Sequence, residues 1–136
     1  MVAIPEEVLK VLNDDKSIRI LATKSKEGNV HAIQVGSLKA PSPDTIIVGA
    51  ILMKRTGMNL ESMKASGEMV SILAGSQMKS YEIKARPKEF ITSGPIFDGM
   101  NAALDKMGLK VNGVWTLEVA EVWNQSPSLE AGKKMA

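Results

Sequence analysis

Apolar residues recur along this chain at two spacings, and the switches between them mark out its elements. Behind Pro5, the residues Val8, Leu9 and Leu12 fall on one stripe, with Glu6 and Glu7 at the end where helix N–H groups are free. This predicts a short helix that ends by Asn13-Asp14-Asp15. From Ser17 to Lys24 the period becomes two, with Ile18, Ile20 and Ala22 set against Arg19, Leu21 and Thr23. Glu27-Gly28 supplies a turn before a second run from Asn29 to Leu38, so the pair predicts a hairpin. Pro41-Ser42-Pro43-Asp44 breaks the chain ahead of a continuous apolar run, Thr45 to Leu52, which predicts a buried strand. A helix opening at Thr56 carries Leu60 and Met63 inward and stops at Gly67. Strands follow over Met69 to Ala74 and from Tyr81 past Pro87 to Thr92. Because proline cannot donate to a ladder, Pro87 predicts a bulge or a free edge. Gly94-Pro95 opens a third helix, with Phe97, Met100, Leu104 and Met107 at helical spacing up to Gly108. A last strand, Val114 to Trp123, alternates Trp115, Leu117 and Val119 with Thr116, Glu118 and Ala120. Six strands with three short helices predict a small antiparallel barrel. The tail from Pro127 to Ala136 is expected to be disordered or to lie on a partner.

The most informative segment is Asp44 to Glu61. There a buried strand delivers a short basic turn, Lys54-Arg55, and a hydroxyl, Thr56, to the start of a helix. Free backbone N–H groups, the positive end of the helix dipole and an arginine fork together suit a phosphate. The competing reading makes Lys54 and Arg55 solvated loop residues and Thr56 an ordinary N-cap.

Length and composition narrow the chemistry. A chain of 136 residues fits a single domain with one core of its own, here taken as residues 1–136. Cysteine is absent, which removes disulfides, thiolate metal sites and thiol nucleophiles and suits a reducing cytoplasm. No signal peptide or membrane-length apolar run is present, so the expected location is cytoplasmic, with no membrane partner. The Asn124-Gln125-Ser126 sequon is then a coincidence. Seventeen basic and fifteen acidic residues leave a net charge of +2, and aromatics make up only 4%, so a nucleic-acid partner is not expected.

Familiar catalytic patterns are missing. Gly49 to Gly57 does not fit a nucleotide-triphosphate loop, and no G-x-G-x-x-G occurs. His31 is the only imidazole, so no multi-histidine metal site can form, and it reads as a strand residue with an ordinary hydrogen bond. The nine methionines read mostly as core filler. Glu82, Glu118 and Glu121 sit on alternating strand positions typical of a solvated face. With no catalytic residues identifiable, any chemistry must come from a cofactor.

The order of these elements, with Ile20-Leu21-Ala22-Thr23, Glu27-Gly28, the strand Val30 to Ser37, Lys54 to Asn59, Tyr81 to Ala85 and Glu121-Val122-Trp123, resembles the FMN-binding split-barrel superfamily, which includes pyridoxamine 5′-phosphate oxidase and small FMN-binding proteins. The resemblance covers almost the whole chain. It implies a mainly β, six-stranded antiparallel split barrel of Greek-key type, a homodimer with two FMN molecules at the subunit interface. It places the FMN phosphate at Lys54, Arg55 and Thr56, with Asn59 in the same pattern. It places the isoalloxazine ring along Ile33, Gln34 and Val35, with Val48, Gly49 and Ala50 beneath it and Gly49 allowing close backbone approach. It also sets Trp123 near the flavin of the other subunit, against a surface-capping or dimer-core role. The implied activity is transfer of hydride or electrons between a reduced nicotinamide and a small acceptor. A deazaflavin-dependent reductase and a non-redox module for another phosphorylated small molecule are the alternatives. The C-terminal basic segment that grips the pyridoxal substrate in the oxidase is absent, so vitamin B6 oxidation is not implied.

Overall fold

The computed structural model describes residues 2–136. Its three helices are α1 (Glu6–Leu12), α2 (Lys54–Ser66) and α3 (Pro95–Asp105). The strands are β1 (Ile18–Lys24), β2 (Val30–Gln34), β3 (Lys39–Ser42), β4 (Thr45–Gly49), β5 (Val70–Ser76), β6 (Lys79–Ile91), β7 (Val114–Asn124) and β8 (Lys133–Lys134). All pair antiparallel in one sheet of order β2-β1-β5-β6-β7-β4-β3, with β8 also on β7. The sheet curls round a core but does not close, because its two edges, β2 and β3, are joined by the chain from Val35 to Leu38 instead of by a ladder.

Two strands were not expected, so the count is eight and not six. The proline-rich break forms β3, which pairs Lys39 with Ile47 and Ser42 with Thr45 around a turn at Pro43-Asp44. Pro41 is tolerated because β3 is an edge strand. The Asp44 carboxylate accepts hydroxyl hydrogen bonds from Ser42 (2.9 Å) and Thr45 (3.0 Å) and so fastens the turn. The tail is not disordered and lies on its own chain: Met135 N–H donates to the Val122 carbonyl at 2.7 Å, and Val122 N–H donates to that of Ala136 at 3.0 Å. It covers the part of the β7 edge that β4 does not reach.

The curl comes from the long β6–β7 pair and its two irregularities. Lys88 is an extra residue between Pro87, opposite Leu117, and Glu89, opposite Thr116. This is the bulge that Pro87 predicts. Ala120 is extra on the other strand, where Lys84 pairs with Glu121 but Ala85 pairs with Val119. One inserted residue reverses the facing of everything beyond it. Trp115, Leu117 and Val119 therefore point inward as the alternation predicts, but after the bulge Val122 is buried and Trp123 turns outward.

One row of the sheet runs inward through Ile33, Leu21, Ile72, Ile83 and Val122. Its neighbour runs outward through Gln34, Ile20, Leu73, Glu82, Trp123 and Lys134. In β1 the buried phase is Arg19, Leu21 and Thr23, while Ile18 is 54% exposed. Helix α2 lies across the inner face with Leu60 and Met63 buried, and ends at Gly67 with φ 72°, a left-handed stop that glycine adopts without strain. Asn59 Nδ2 donates to Thr23 Oγ1 at 3.0 Å, a buried bond that pins α2 to β1. A smaller core of Ile47, Met100, Leu104, Val111 and Val114 holds α3 against β4 and β7. No helix among the described residues is long and apolar enough to cross a membrane.

Three carboxyls are held below their ordinary values. Asp44 is lowered by its Ser42 and Thr45 bonds, and Glu68 by Lys24 and then Ser66. For Glu82, burial acts to raise the value, but the Ser71 hydroxyl and Lys84 outweigh it and the net shift is downward. A carboxyl whose folded value is depressed stabilises the fold above its unfolded value and loses that contribution as pH falls through the folded one. The urea midpoint should therefore hold from neutrality to about pH 5 and fall below about pH 4.5. Ser71→Ala should flatten part of that fall, and a profile identical to wild type would remove Glu82 from the account.

Candidate functional site

The unclosed seam between the two sheet edges is a cavity of about 1140 Å³. One wall is the β2 edge with the chain that follows it, from His31 through Ile33, Gln34 and Val35 to Ser37. Opposite it stand Gly49, the bend at Ile51-Leu52-Met53 and the first turn of α2. Met100, Ala103, Leu104, Met107 and Leu109 close one side, and Asn13, Asp15, Arg19, Lys39 and Ala40 line the far end.

Helix α2 begins at Lys54 and not at Thr56. Lys54, Arg55 and Thr56 therefore form its first turn, and Thr56 is a buried helical residue instead of an N-cap. The first intrahelical bond runs from Gly57 N–H to the Met53 carbonyl, 2.8 Å, which leaves the three preceding N–H groups without helical acceptors. Met53 stands at the N-cap position and no side chain caps the helix. Leu52, 87% exposed, turns the chain from β4 into this helix at φ 51°, a left-handed conformation that costs a leucine about 1–2 kcal/mol. Lys54 and Arg55 are exposed at the cavity mouth, and Arg55 Nη1 lies 3.5 Å from His31 Nδ1. A guanidinium only donates, so Nδ1 is the acceptor and the imidazole proton belongs on Nε2.

The cavity is more basic than the chain around it. Arg19, Lys39, Lys54 and Arg55 line it against the single carboxylate of Asp15. Arg19 is 5% exposed, and its Nη1 donates to the carbonyls of Leu38 (2.8 Å) and Leu12 (3.4 Å), the latter at the negative end of α1. Its buried Nε has no hydrogen-bond partner.

Of the residues singled out in the sequence, Ile33, Gln34, Val35, Gly49, Lys54, Arg55 and Thr56 come together on this cavity. Val48 is fully buried in the main core beside the site, and Asn59 is committed to Thr23. Ala50 bonds through its backbone to Asn112 and Gly113 and borders a smaller cleft. Trp123 is at the other end of β7 from Val114, the partner of Gly49; its Nε1 donates to Glu121 at 2.9 Å, and Lys134 Nζ sits 5.9 Å from the ring centroid. The Glu82 and Glu121 positions are likewise occupied by local partners. Sequence reasoning missed Arg19, Lys39 and the α3 wall. The only signal for Arg19 was a charge within a hydrophobic alternation, and that alternation can be read in either phase. Among the described residues no cluster of three or more His, Cys, Asp or Glu is gathered to hold a metal.

The structure resembles a set of solved proteins. HupZ from Group A Streptococcus aligns over 98% of this chain and 99% of its own with a TM-score of 0.80 at 16% identity. An FMN-binding protein from Syntrophomonas wolfei aligns over 90% and 86% with a TM-score of 0.80 at 14% identity. This chain has the split-barrel fold of these proteins. A heme binding protein from Mycobacterium smegmatis shares that split barrel at a TM-score of 0.61 and 20% identity, covering 99% of this chain but 60% of its own. No family model and no curated protein sequence matches.

Within this split barrel, Gly49 has a reason different from room for a ring. A Cβ there would lie 2.6 Å from Val111 Cγ1 and 3.3 Å from Met100 Cγ, so the glycine lets the α3 wall pack onto β4. Its N–H and carbonyl both bond Ser37 Oγ at 3.2 Å, tying the two sides of the seam together. Gly49→Ala should cost about 1–3 kcal/mol in denaturant unfolding, the usual cost of overpacking. Much of that cost should vanish when the same change is made in a Val111→Ala background. Additive losses would show that the contact with Val111 is not what constrains this position.

Proposed function

We propose that the cavity binds FMN, with its phosphate at the first turn of α2 and its ring along β2, and that the protein is a flavin-dependent oxidoreductase or electron carrier. The observation that carries this reading is the uncapped α2 N-terminus, with three free N–H groups beside Lys54 and Arg55, opening onto a cavity large enough for a ligand of that size. Ile33, Val35 and the methionines of the α3 wall offer apolar surface for a planar ring, and Ser37 and Gln34 offer polar groups at its rim. Bound there, FMN supplies hydride and electron transfer between a reduced nicotinamide and a small acceptor. The chain's own residues bind, orient and shield it. Heme is the less favoured reading, because the lone imidazole faces Arg55. Vitamin B6 oxidation is outside the proposal, since the C-terminal residues are engaged along β7.

A homodimer belongs to the same reading. The outward face of β1, β2 and β5 presents Ile18, Ile20, Ala22, Val30, Ala32 and Leu73, an apolar surface that begins at the cavity rim; beyond Leu73 the same row passes through the carboxylate of Glu82 before it reaches Trp123. Two copies packed on this face would bring Trp123 of each toward the cavity of the other.

The purified protein, reconstituted with FMN, should hold about one flavin per chain, identified by mass spectrometry after heat release. Arg55→Ala should weaken FMN binding by about 1.5–3 kcal/mol and leave riboflavin little changed, because only the phosphate contact is lost. Equal loss for both ligands would move Arg55 away from the phosphate, and no flavin uptake would end the proposal. For the dimer, light scattering should give twice the chain mass for the wild type and the chain mass for Ile20→Lys. A wild-type monomer that still binds flavin would rule the dimer out.

A further inference from the structure

Arg19 is a buried cation with no carboxylate paired to it among the described residues, and it borders the cavity. An arginine in this state is costly to bury unless something compensates its charge. Two carbonyls on Nη1 do part of that, but Nε is left without a partner. The neighbouring polar groups do not complete it: the Asn13 amide is spent on both backbone groups of Ala40 (2.8 and 3.1 Å), and Asp15 and Lys39 are exposed.

Its place along the seam is fixed by the ladder. Val35 N–H donates to the Arg19 carbonyl at 2.8 Å, so Arg19 is level with Val35, whereas Arg55 stands at His31. Four residues of extended chain separate those levels, roughly 13 Å. The cavity thus has a cation at each end of its β2 wall, and the two differ in kind. Arg55 and Lys54 are exposed beside free helix N–H groups, which suits a hydrated phosphate. Arg19 is a single, desolvated charge held by packing, which suits acceptor atoms of a buried ring.

We propose that Arg19 is the second anion post of the cavity, facing the pyrimidine edge of the bound flavin and favouring its reduced form. The inference rests on the FMN reading. With FMN held there, a hydride from a reduced nicotinamide would bring two electrons and a proton to the ring, the donor would leave oxidised, and the reduced ring would carry one more negative charge, toward its pyrimidine edge, for Arg19 to face. A fixed guanidinium at that edge, in a low-dielectric pocket, attracts the charged reduced ring more strongly than the neutral oxidised one. Arg19 therefore sets the potential, while Arg55 sets the affinity for both redox states alike.

The test is the midpoint potential of bound flavin, measured anaerobically against a reference dye. Arg19→Gln should lower the preference for reduced over oxidised FMN about tenfold, which is about 30 mV for a two-electron couple, and Arg19→Lys should keep most of it. Val11→Ala loosens the same end of α1 without removing a charge or a cavity-lining side chain, and it should leave the potential where it was. Should Arg19→Gln fail to fold, riboflavin bound to the unmodified protein decides the question. Without a phosphate to engage the other post, it should still be reduced more readily than free riboflavin, by a similar factor. An unshifted potential in either measurement, or an equal shift from Val11→Ala, overturns the role of Arg19 and leaves the FMN reading standing. Failure of the unmodified protein to bind either flavin overturns both.

Discussion

The structure depends on one constraint: strand β7 must satisfy two edges at once while bending. Along one edge it is paired throughout by β6; along the other it meets β4 first and the C-terminal residues afterwards. A flat pair of this length could not bring the outer strands round toward each other. The inserted Lys88 and Ala120 sharpen the local twist and supply the bend, and the fully buried Trp115, Leu117 and Val122 fill the space it encloses. Because the curl stops short of closure, the edge groups of β2 and β3 do not meet. The gap between them holds every cation that the cavity presents.

That gap joins fold and chemistry. Closing it with a ninth strand would satisfy more backbone but leave no room for a ligand. Instead Ser37 bridges it with one hydroxyl, and Arg19 and Asn13 tie α1 to the start of β3. The cost is carried locally, in a left-handed Leu52 and a partnerless guanidinium nitrogen. Departures of this kind gather where a molecule gives something up in order to bind.

Much of the fold was legible because it depends on local pattern. The stripe of Leu60 and Met63, the stop at Gly67, the alternation through Tyr81, Ile83 and Ala85 and the bulge near Pro87 all follow from side-chain period and backbone chemistry. The rest was set by partners that no local window contains. Pro41 sits in a strand only because that strand is an edge. Trp123 faces out only because Ala120 is inserted three residues earlier, and nothing in Val-Ala-Glu-Val announces an insertion. Lys133 and Lys134 form a strand only because β4 is shorter than β7. In the site, the basic pair that opens α2 was visible as a motif, whereas Arg19 was hidden by an alternation whose buried phase only the finished sheet decides. The apolar α3 wall was legible as a helix, but its position over Gly49 was not.

That wall is built in part from thioethers: Met100 and Met107 on it, with Met53 across the cavity. Sulfur suits the place, since methionine adapts its shape to a planar ligand better than branched residues do. It also gives the pocket a built-in ageing process. Peroxide turns a thioether into a polar sulfoxide, and attack follows exposure. Met107, 65% exposed, stands outside Met100, 3% exposed and packed among Ile47, Leu104 and Val111. Oxidative wear would proceed from the mouth inward, first altering the surface a ligand meets and only later the packing of the wall. The durability of this pocket in aerated solution is thus governed by the order in which its sulfurs are reached, a property separate from the charges that give it affinity.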